Sequence, residues 1–238
     1  MKPSTLKYIF LLTSICLQLS LFAQHSRFIS MQQQTEILEG NRKNTSTIDI
    51  YFDNQKHTLT RHFHSPKELI ASTNSFGEIK TYNPVTHEVS YQHFPGLSSK
   101  SNLVYYFVNN ITQHLGLAEQ GFALNSSYSE DQHYITIWDA PVSVNNVASV
   151  KMAHQHGLPV YSEYRDNNEN ALKKTYYTNY HHLPGFRFPE RIIDITYQPS
   201  GDSTITRTTY INIEVSENPH SDLFNFEIPE NATSVEIE

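Results

Sequence analysis

The sequence predicts an α+β domain: a single strongly curved antiparallel sheet of about ten or eleven strands, with helices on its concave face. Three observations carry this. The stretch from Leu59 to Gln92, LTRHFHSPKELIASTNSFGEIKTYNPVTHEVSYQ, is a series of extended runs broken by turn signals at Ser65-Pro66, Asn74-Ser75-Phe76-Gly77 and Asn83-Pro84. Such a series makes a meander with one face toward a core and one toward water. Further alternating runs follow it, and so many antiparallel strands must curl to avoid long exposed edges. One strongly amphipathic segment lies between two groups of strands and has to bury its stripe on the sheet.

Composition agrees. The 238 residues suffice for one domain with a sizeable core, and the 15 Tyr and 13 Phe favour strands, while only 8 Gly are present. Nothing suggests a disordered or fibrous chain. Residues 1–23 have the form of a secretory signal peptide. Lys2 and Lys7 supply the positive region, Tyr8–Phe22 is mostly apolar, and Ala23 offers a small residue before a cut at Gln24. The apolar run is shorter than the ~20 residues of a spanning helix, and Gln18 interrupts it. Residues 24–238 then form a single domain. Cys16, the only cysteine, falls in the removed segment, which leaves no disulfide and no thiol nucleophile. Without Lys2 and Lys7 the chain has 15 basic against 24 acidic residues, a formal charge of −9, which argues against nucleic acid and anionic membrane surfaces as partners.

In chain order, Ser26–Glu39 reads as a helix, with Phe28, Met31, Thr35 and Leu38 at helical spacing and Gly40 as its stop. Thr47–Phe52 is a strand with Ile48, Ile50 and Phe52 on one face, followed by a turn at Asp53-Asn54-Gln55. In the next strand Leu59, Arg61 and Phe63 alternate with Thr60, His62 and His64. Pro95–Ser99 is a break. A helix capped by Ser98 or Ser101 carries Val104, Phe107, Val108, Ile111 and Leu115, and ends at Gly116. Leu117–Gln132 reads as a loop. Tyr134–Trp138 is a strand with Ile135 and Ile137 opposite Tyr134, Thr136 and Trp138. Val147–Ala153 and Leu158–Arg165 form a hairpin across His154–Gly157. Leu172–His182, Glu190–Gln198 and Ser203–Val215 are strands, the last two joined by a turn at Pro199-Ser200-Gly201-Asp202, and Ser221–Ile228 is a short closing strand.

Catalytic signatures are absent: no GxSxG, P-loop, GxGxxG or HExxH occurs. His62 and His64 share a strand face opposite Leu59 and Phe63, and read as solvent-facing polar residues, so no metal site is expected. The same holds for His154/His156 and His181-His182. The carboxylates Glu119, Glu130, Asp131, Asp139, Glu163 and Asp194 are dispersed, and no pair is placed for acid–base work. The chain is therefore expected to be non-enzymatic and to need no cofactor. A curved sheet has more concave face than two helices fill, and the surplus is a candidate apolar cavity. Its lining candidates are Ile50, Phe52, Leu59, Phe63, Ile135, Ile137, Ile211 and Ile213 from the sheet, Phe107 and Ile111 from the helix, and Arg61. Alternation alone does not distinguish a cavity wall from a packed core.

The Leu59–Gln92 stretch, with a run ending at a Pro, a turn with Gly, then Tyr82-Asn83-Pro84, resembles the LolA family of periplasmic lipoprotein carriers. The terminal Phe224-Asn225-Phe226-Glu227-Ile228-Pro229 is similar to that family's closing Phe-x-Phe-x-x-Pro, so the resemblance spans Phe28 to Val235. It implies an unclosed β-barrel plugged by helices. It also implies a monomeric periplasmic protein of a Gram-negative bacterium that holds lipoprotein acyl chains or lipid and deals with envelope membrane proteins. Family members place an Arg just after the strand that here ends at Phe52, where it holds a helical lid. This chain has Asp53-Asn54-Gln55 there, and Arg61 is the nearest substitute. The alternatives are an envelope protein that uses the fold for protein contacts and, more remotely, a metal-dependent hydrolase on the His pairs.

Overall fold

A computed structural model describes residues 28–236. The signal-peptide reading of residues 1–23 lies outside them. The fourteen strands are β1 (Phe28–Glu39), β2 (Arg42–Asp53), β3 (Thr58–Ser65), β4 (Leu69–Thr73), β5 (Glu78–Asn83), β6 (Glu88–His93), β7 (Ala123–Glu130), β8 (His133–Asp139), β9 (Ser149–Gln155), β10 (Leu158–Arg165), β11 (Ala171–Leu183), β12 (Phe186–Tyr197), β13 (Ser203–Ser216) and β14 (Thr233–Ser234). Among the described residues one α-helix, α1 (Leu103–Val108), interrupts them. All fourteen strands lie in one unclosed sheet, in the order β14-β6-β5-β4-β3-β2-β1-β13-β12-β11-β10-β9-β8-β7. Every pairing is antiparallel except the short β14–β6 contact. Two meanders, β1–β6 and β7–β13, are thus joined through their first and last strands, β1 and β13.

The predicted helix at Ser26–Glu39 is strand β1 over its described part. Its helical spacing is coincidental. The segment is held along its length by β2 on one side and β13 on the other, and its first four residues are buried. Ile29 and Met31 join the main core, while Phe28 meets Phe224 on the other face. Non-local pairing on both edges outweighs a local preference of a few tenths of a kcal/mol per residue (~0.5). The strand count also exceeds ten or eleven because Leu117–Gln132, read as a loop, contains β7. That edge strand is exposed throughout, so it has no burial pattern to show in sequence. The closing strand at Ser221–Ile228 is instead a 3₁₀ turn (Asp222–Asn225) within an irregular tail, and β14 follows it.

The predicted hairpins are observed. β9 and β10 join across His156 and Gly157, both with positive φ (52° and 77°), the geometry that matches strand twist in a two-residue turn. The Asn74–Gly77 turn is equally specific. Gly77 has φ +81°, and a Cβ there would stand 2.2 Å from the carbonyl oxygen of Phe94, whose own N–H donates to Gly77 O at 2.9 Å. Gly77→Ala is expected to lower stability by about 2 kcal/mol through left-handed strain and displacement of the Phe94 backbone, read as a shift in urea midpoint with unchanged m-value.

The helix is shorter than its apolar stripe suggested. Asn102 caps it, its Oδ1 accepting from Tyr105 N at 3.0 Å, in place of Ser98 or Ser101. It stops at Val108 in place of Leu115. Asn110 adopts φ +56°, Ile111 N donates to Tyr106 O (2.7 Å), and Asn110 N donates to Phe107 O (3.3 Å). That is a Schellman closure with Asn in the left-handed position, a stop signal supplied by Asn109-Asn110 well before Gly116. The expectation of two main helices on the sheet is corrected to one of six residues among the described ones.

Candidate functional site

The face that carries α1 holds the main core. Val104, Phe107 and Val108 of α1 pack with Ile29, Met31, Ile50, Phe52 and Leu59 from the first meander, and with Phe186, Phe188, Ile192 and Tyr210 from the second. Phe107 stands edge-on to Phe188 at 5.2 Å, and Phe188 to Tyr210 at 5.0 Å. A smaller cluster continues on this face under the segment after α1: Leu117, Phe122, Trp138, Val150 and Met152.

Four of the eleven candidates, Ile50, Phe52, Leu59 and Phe107, are buried together in this core. Arg61 and Phe63 lie on the same face, since the register sets Leu59, Arg61 and Phe63 opposite Phe52, Ile50 and Ile48. Both are only partly buried. Ile213 packs at the core margin. Ile111 lies beyond the helix, in the connecting segment.

Ile135, Ile137 and Ile211 face the other way, which corrects their inward assignment. Trp138 is the residue of β8 that joins the helix-side cluster, so Ile135 and Ile137, at odd spacing from it, point to the opposite face. For Ile211 the cause is a β-bulge. The β1–β13 register slips between Ser30 and Gln32, and Asn212 takes φ +53°. Ile211 therefore pairs with outward Gln32, while Tyr210 and Ile213 both turn toward the core. Alternation across residues 210–213 cannot survive an inserted residue.

Several core members were missed. Ile29 and Met31 were hidden in the helix reading. Phe186 and Phe188, stacked at 5.6 Å, begin β12 four residues before the expected Glu190, and their alternation in Phe186-Arg187-Phe188 was a usable signal.

Beyond the apolar core, the helix-bearing face becomes polar and aromatic. Asp194 accepts from Thr175 Oγ1 at 2.6 Å and pairs with Lys173 at 2.8 Å. Burial pushes the Tyr177 and Tyr210 hydroxyls well above their ordinary range. Arg61 has no ion pair among the described residues. Burial pulls its guanidinium below its usual range, and Tyr210 nearby opposes this, but an arginine stays charged. The turn after Phe52 contacts the helix without an Arg: Asn109 Nδ2 donates to Asn54 Oδ1 at 3.0 Å. Asp53, the first of the three positions where the LolA resemblance implies an Arg, is buried and accepts from Gln55 N and Lys56 N at 2.9 and 3.1 Å to form that turn.

A groove of about 620 Å³ opens beside the second cluster, lined by Trp138, Tyr134, Leu124, His133, His154 and His156 among others. Trp138 Nε1 donates to Thr136 Oγ1 at 3.0 Å, so its indole is both core and groove wall. His154 is buried, and its Nε2 lies 3.0 Å from Thr112 O, which requires Nε2 to carry the proton. Burial lowers the His154 pKa, although the backbone groups of Thr112 and Tyr134 oppose the shift. Between that lowered value and about 6.5 the unfolded chain binds more protons, so the His154 contribution to stability is lost as pH falls through that window. Wild type is expected to lose more stability than His154→Gln between about pH 7.5 and about pH 5.5, by less than ~1.4 kcal/mol per pH unit, as measured by urea denaturation at each pH.

The opposite face carries the C-terminal tail. Leu223, Phe226, Ile228 and Ala232 cover Ile70, Tyr82 and Val89. The same face brings His62 and His64, expected as a solvent-facing pair on one strand, together with Asp49, which the sequence reading did not single out. The carboxylates Glu163 and Asp194 are engaged locally: Glu163 accepts from Tyr161 and, at 2.9 Å, from Arg165.

No family model matches the sequence, and no curated protein matches it. Solved structures do. An outer membrane lipoprotein-sorting protein domain from Vibrio parahaemolyticus aligns with TM-score 0.56 at 10% identity, covering 89% of this chain and 95% of its own. The fold is LolA-like. A LolA superfamily protein from Nitrosomonas europaea aligns with TM-score 0.55 at 10% identity, over 83% of this chain and 90% of that one. A DUF1329 family protein from Desulfovibrio piger aligns with TM-score 0.56 at 12% identity, over 89% and 94%. The LolA-like fold accounts for the unclosed antiparallel sheet. This chain departs from the expected helical plug in having one short helix among its described residues.

Proposed function

We propose that this protein is a periplasmic, non-enzymatic carrier or binding protein that receives an acyl chain of a lipid or lipid-modified protein on its helix-bearing face. The observation that carries the reading is the apolar row on β2 and β3 that outruns the helix. Phe52 and Leu59 are buried in the core that includes α1, but Ile48 and Phe63, further along the same face, are only partly covered. A six-residue helix is about 9 Å long, while Leu59 to Phe63 spans about 13 Å of strand.

Two hydrogen bonds support a concave shape for this face. Asn109 reaches Asn54 at the end of β2, and Thr112 O receives His154 of β9. Laid flat, β2 and β9 would stand about 29 Å apart, whereas residues 109 and 112 are at most about 11 Å apart. Both contacts favour a sheet that curves toward α1. Arg61, between Leu59 and Phe63, is placed to meet a carboxylate or phosphate on the bound lipid. The similarity to a lipoprotein-sorting domain favours the same class of cargo.

A second reading is an envelope protein that uses the fold for protein contacts. It is favoured by Phe76, Phe94 and Leu97, which are exposed together where the β4–β5 turn meets the end of β6.

The deciding experiment is displacement of a fluorescent fatty acid by lipopeptide on delipidated protein. Burial of about 0.8 kcal/mol per CH₂ makes a long acyl chain a usable ligand. Wild type is expected to bind saturably, Phe63→Ala to bind more weakly, and Phe63→Glu not at all. Arg61→Leu should weaken a fatty acid but leave its methyl ester unchanged. No saturable binding by folded wild type overturns the carrier reading in favour of the protein-contact one.

A further inference from the structure

We propose that the face opposite α1 carries a divalent transition-metal site formed by Asp49, His62 and His64, with Glu68 at its margin. Three separate pieces of backbone build it. Asp49 on β2 stands directly across the ladder from His62 on β3. His64 lies two residues along β3, so strand alternation puts it on the same side as His62. Glu68 comes from the connection to β4. One donor atom from each of Asp49, His62 and His64 lies within 4.8 Å of the other two. Ligands around tetrahedral zinc, with metal–ligand bonds of about 2.1 Å, stand about 3.4 Å from one another. The observed set therefore closes by small side-chain rotations on a fixed ladder.

The atoms that would ligate already face their neighbours. His64 Nε2 is 2.8 Å from Asp49 Oδ2, and His62 Nε2 is 3.1 Å from Glu68 Oε1. The two imidazole rings lie 4.3 Å apart, centroid to centroid. Gln32 Nε2 donates to the other Asp49 oxygen at 3.0 Å, which orients the carboxylate and leaves Oδ2 for a metal. Two neutral imidazoles with one or two carboxylates suit Zn²⁺, and Cu²⁺ by the Irving–Williams order should bind more tightly. Mg²⁺ and Ca²⁺, which require all-oxygen shells, should not compete. The site lies on the other face of the sheet from the proposed acyl site and stands independently of it.

The test uses tag-free, chelator-stripped protein titrated with Zn²⁺ against a chromophoric chelator, and with Cu²⁺ by electron paramagnetic resonance. Wild type is expected to take up a single tight equivalent, with nitrogen hyperfine coupling from two imidazoles on Cu²⁺. His62→Gln/His64→Gln should abolish that equivalent, and Asp49→Asn should weaken it by about 10–100-fold. His181→Gln/His182→Gln, away from the cluster, should leave it intact. Since His62 and His64 form only surface pairs, their double replacement should change unfolding free energy by no more than about 0.5 kcal/mol, so loss of metal uptake reports the site and not the fold. Absence of stoichiometric uptake by wild type, or uptake unaltered in the His62/His64 variant, overturns the proposal.

Discussion

Replacing Phe107 with alanine is expected to cost about 3–5 kcal/mol, a large part of the stability of a domain this size. Phe107 is the one aromatic side chain of α1 that is buried almost completely, and it meets Phe188 at 5.2 Å and Tyr180 at 6.0 Å. Phe188 and Tyr180 are held by the ladder between β12 and β11, so they cannot collapse into the space left behind. Val104, Tyr106 and Val108 are buried beside it, but with six residues the helix is too short to be stable alone and depends on this packing. Loss of Phe107 therefore removes packing and also releases α1. Urea denaturation should show a lower midpoint, and hydrogen exchange should accelerate first across residues 102–112, ahead of β1 and β2. A variant with Phe107→Leu, which keeps most of the volume, should recover more than half of the loss. Equal protection of α1 in wild type and Phe107→Ala would contradict this account.

The second large effect is on the tail. Phe224 is buried against the opposite face, with edge-to-face contacts to Phe28 at 5.0 Å, Tyr51 at 5.3 Å and His220 at 5.2 Å. Ser221 caps its 3₁₀ turn, accepting from Leu223 N at 3.2 Å, and Lys56 reaches Asn225 from the β2–β3 turn. Phe224→Ala is expected to cost about 3 kcal/mol. The more specific consequence lies downstream. Leu223, Phe226 and Ile228 should leave Ile70, Tyr82 and Val89 exposed, and β14 should release the edge of β6. An uncovered, unpaired edge is a template for association. Limited proteolysis should then cut within residues 219–232, and light scattering should show concentration-dependent oligomers absent from wild type. A Phe224→Ala protein that stays monomeric and resists cleavage would show that the tail is held by something other than this anchor.

Much of the sheet is legible in the residue pattern. The turn residues Asn74–Gly77, His156-Gly157 and Pro199–Asp202 mark real turns, and the faces of β2 and β3 follow from alternation. Ile50, Phe52, Leu59 and Phe107 were recognisable as core members for the same reason: regular periodicity reports which side a residue presents. The site was only half legible. Ile211 was assigned inward because no residue type announces the bulge at Asn212, and Ile135 and Ile137 because two faces of a strand look alike until one is covered.

The meander class, the hairpin positions, the lack of catalytic signatures and the resemblance that the LolA-like fold sustains can all be read from local residue patterns. Tertiary structure alone decided that Phe28–Glu39 is a strand, since β2 and β13 supply hydrogen bonds along both its edges. It also decided that α1 ends at Asn110, how far the apolar row runs past it, and that Asp49 stands across from His62. The physical reason is common to all of these. Local spacing records the orientation of a side chain relative to its own backbone, whereas burial, bulges and clustered ligands depend on which distant strand lies alongside.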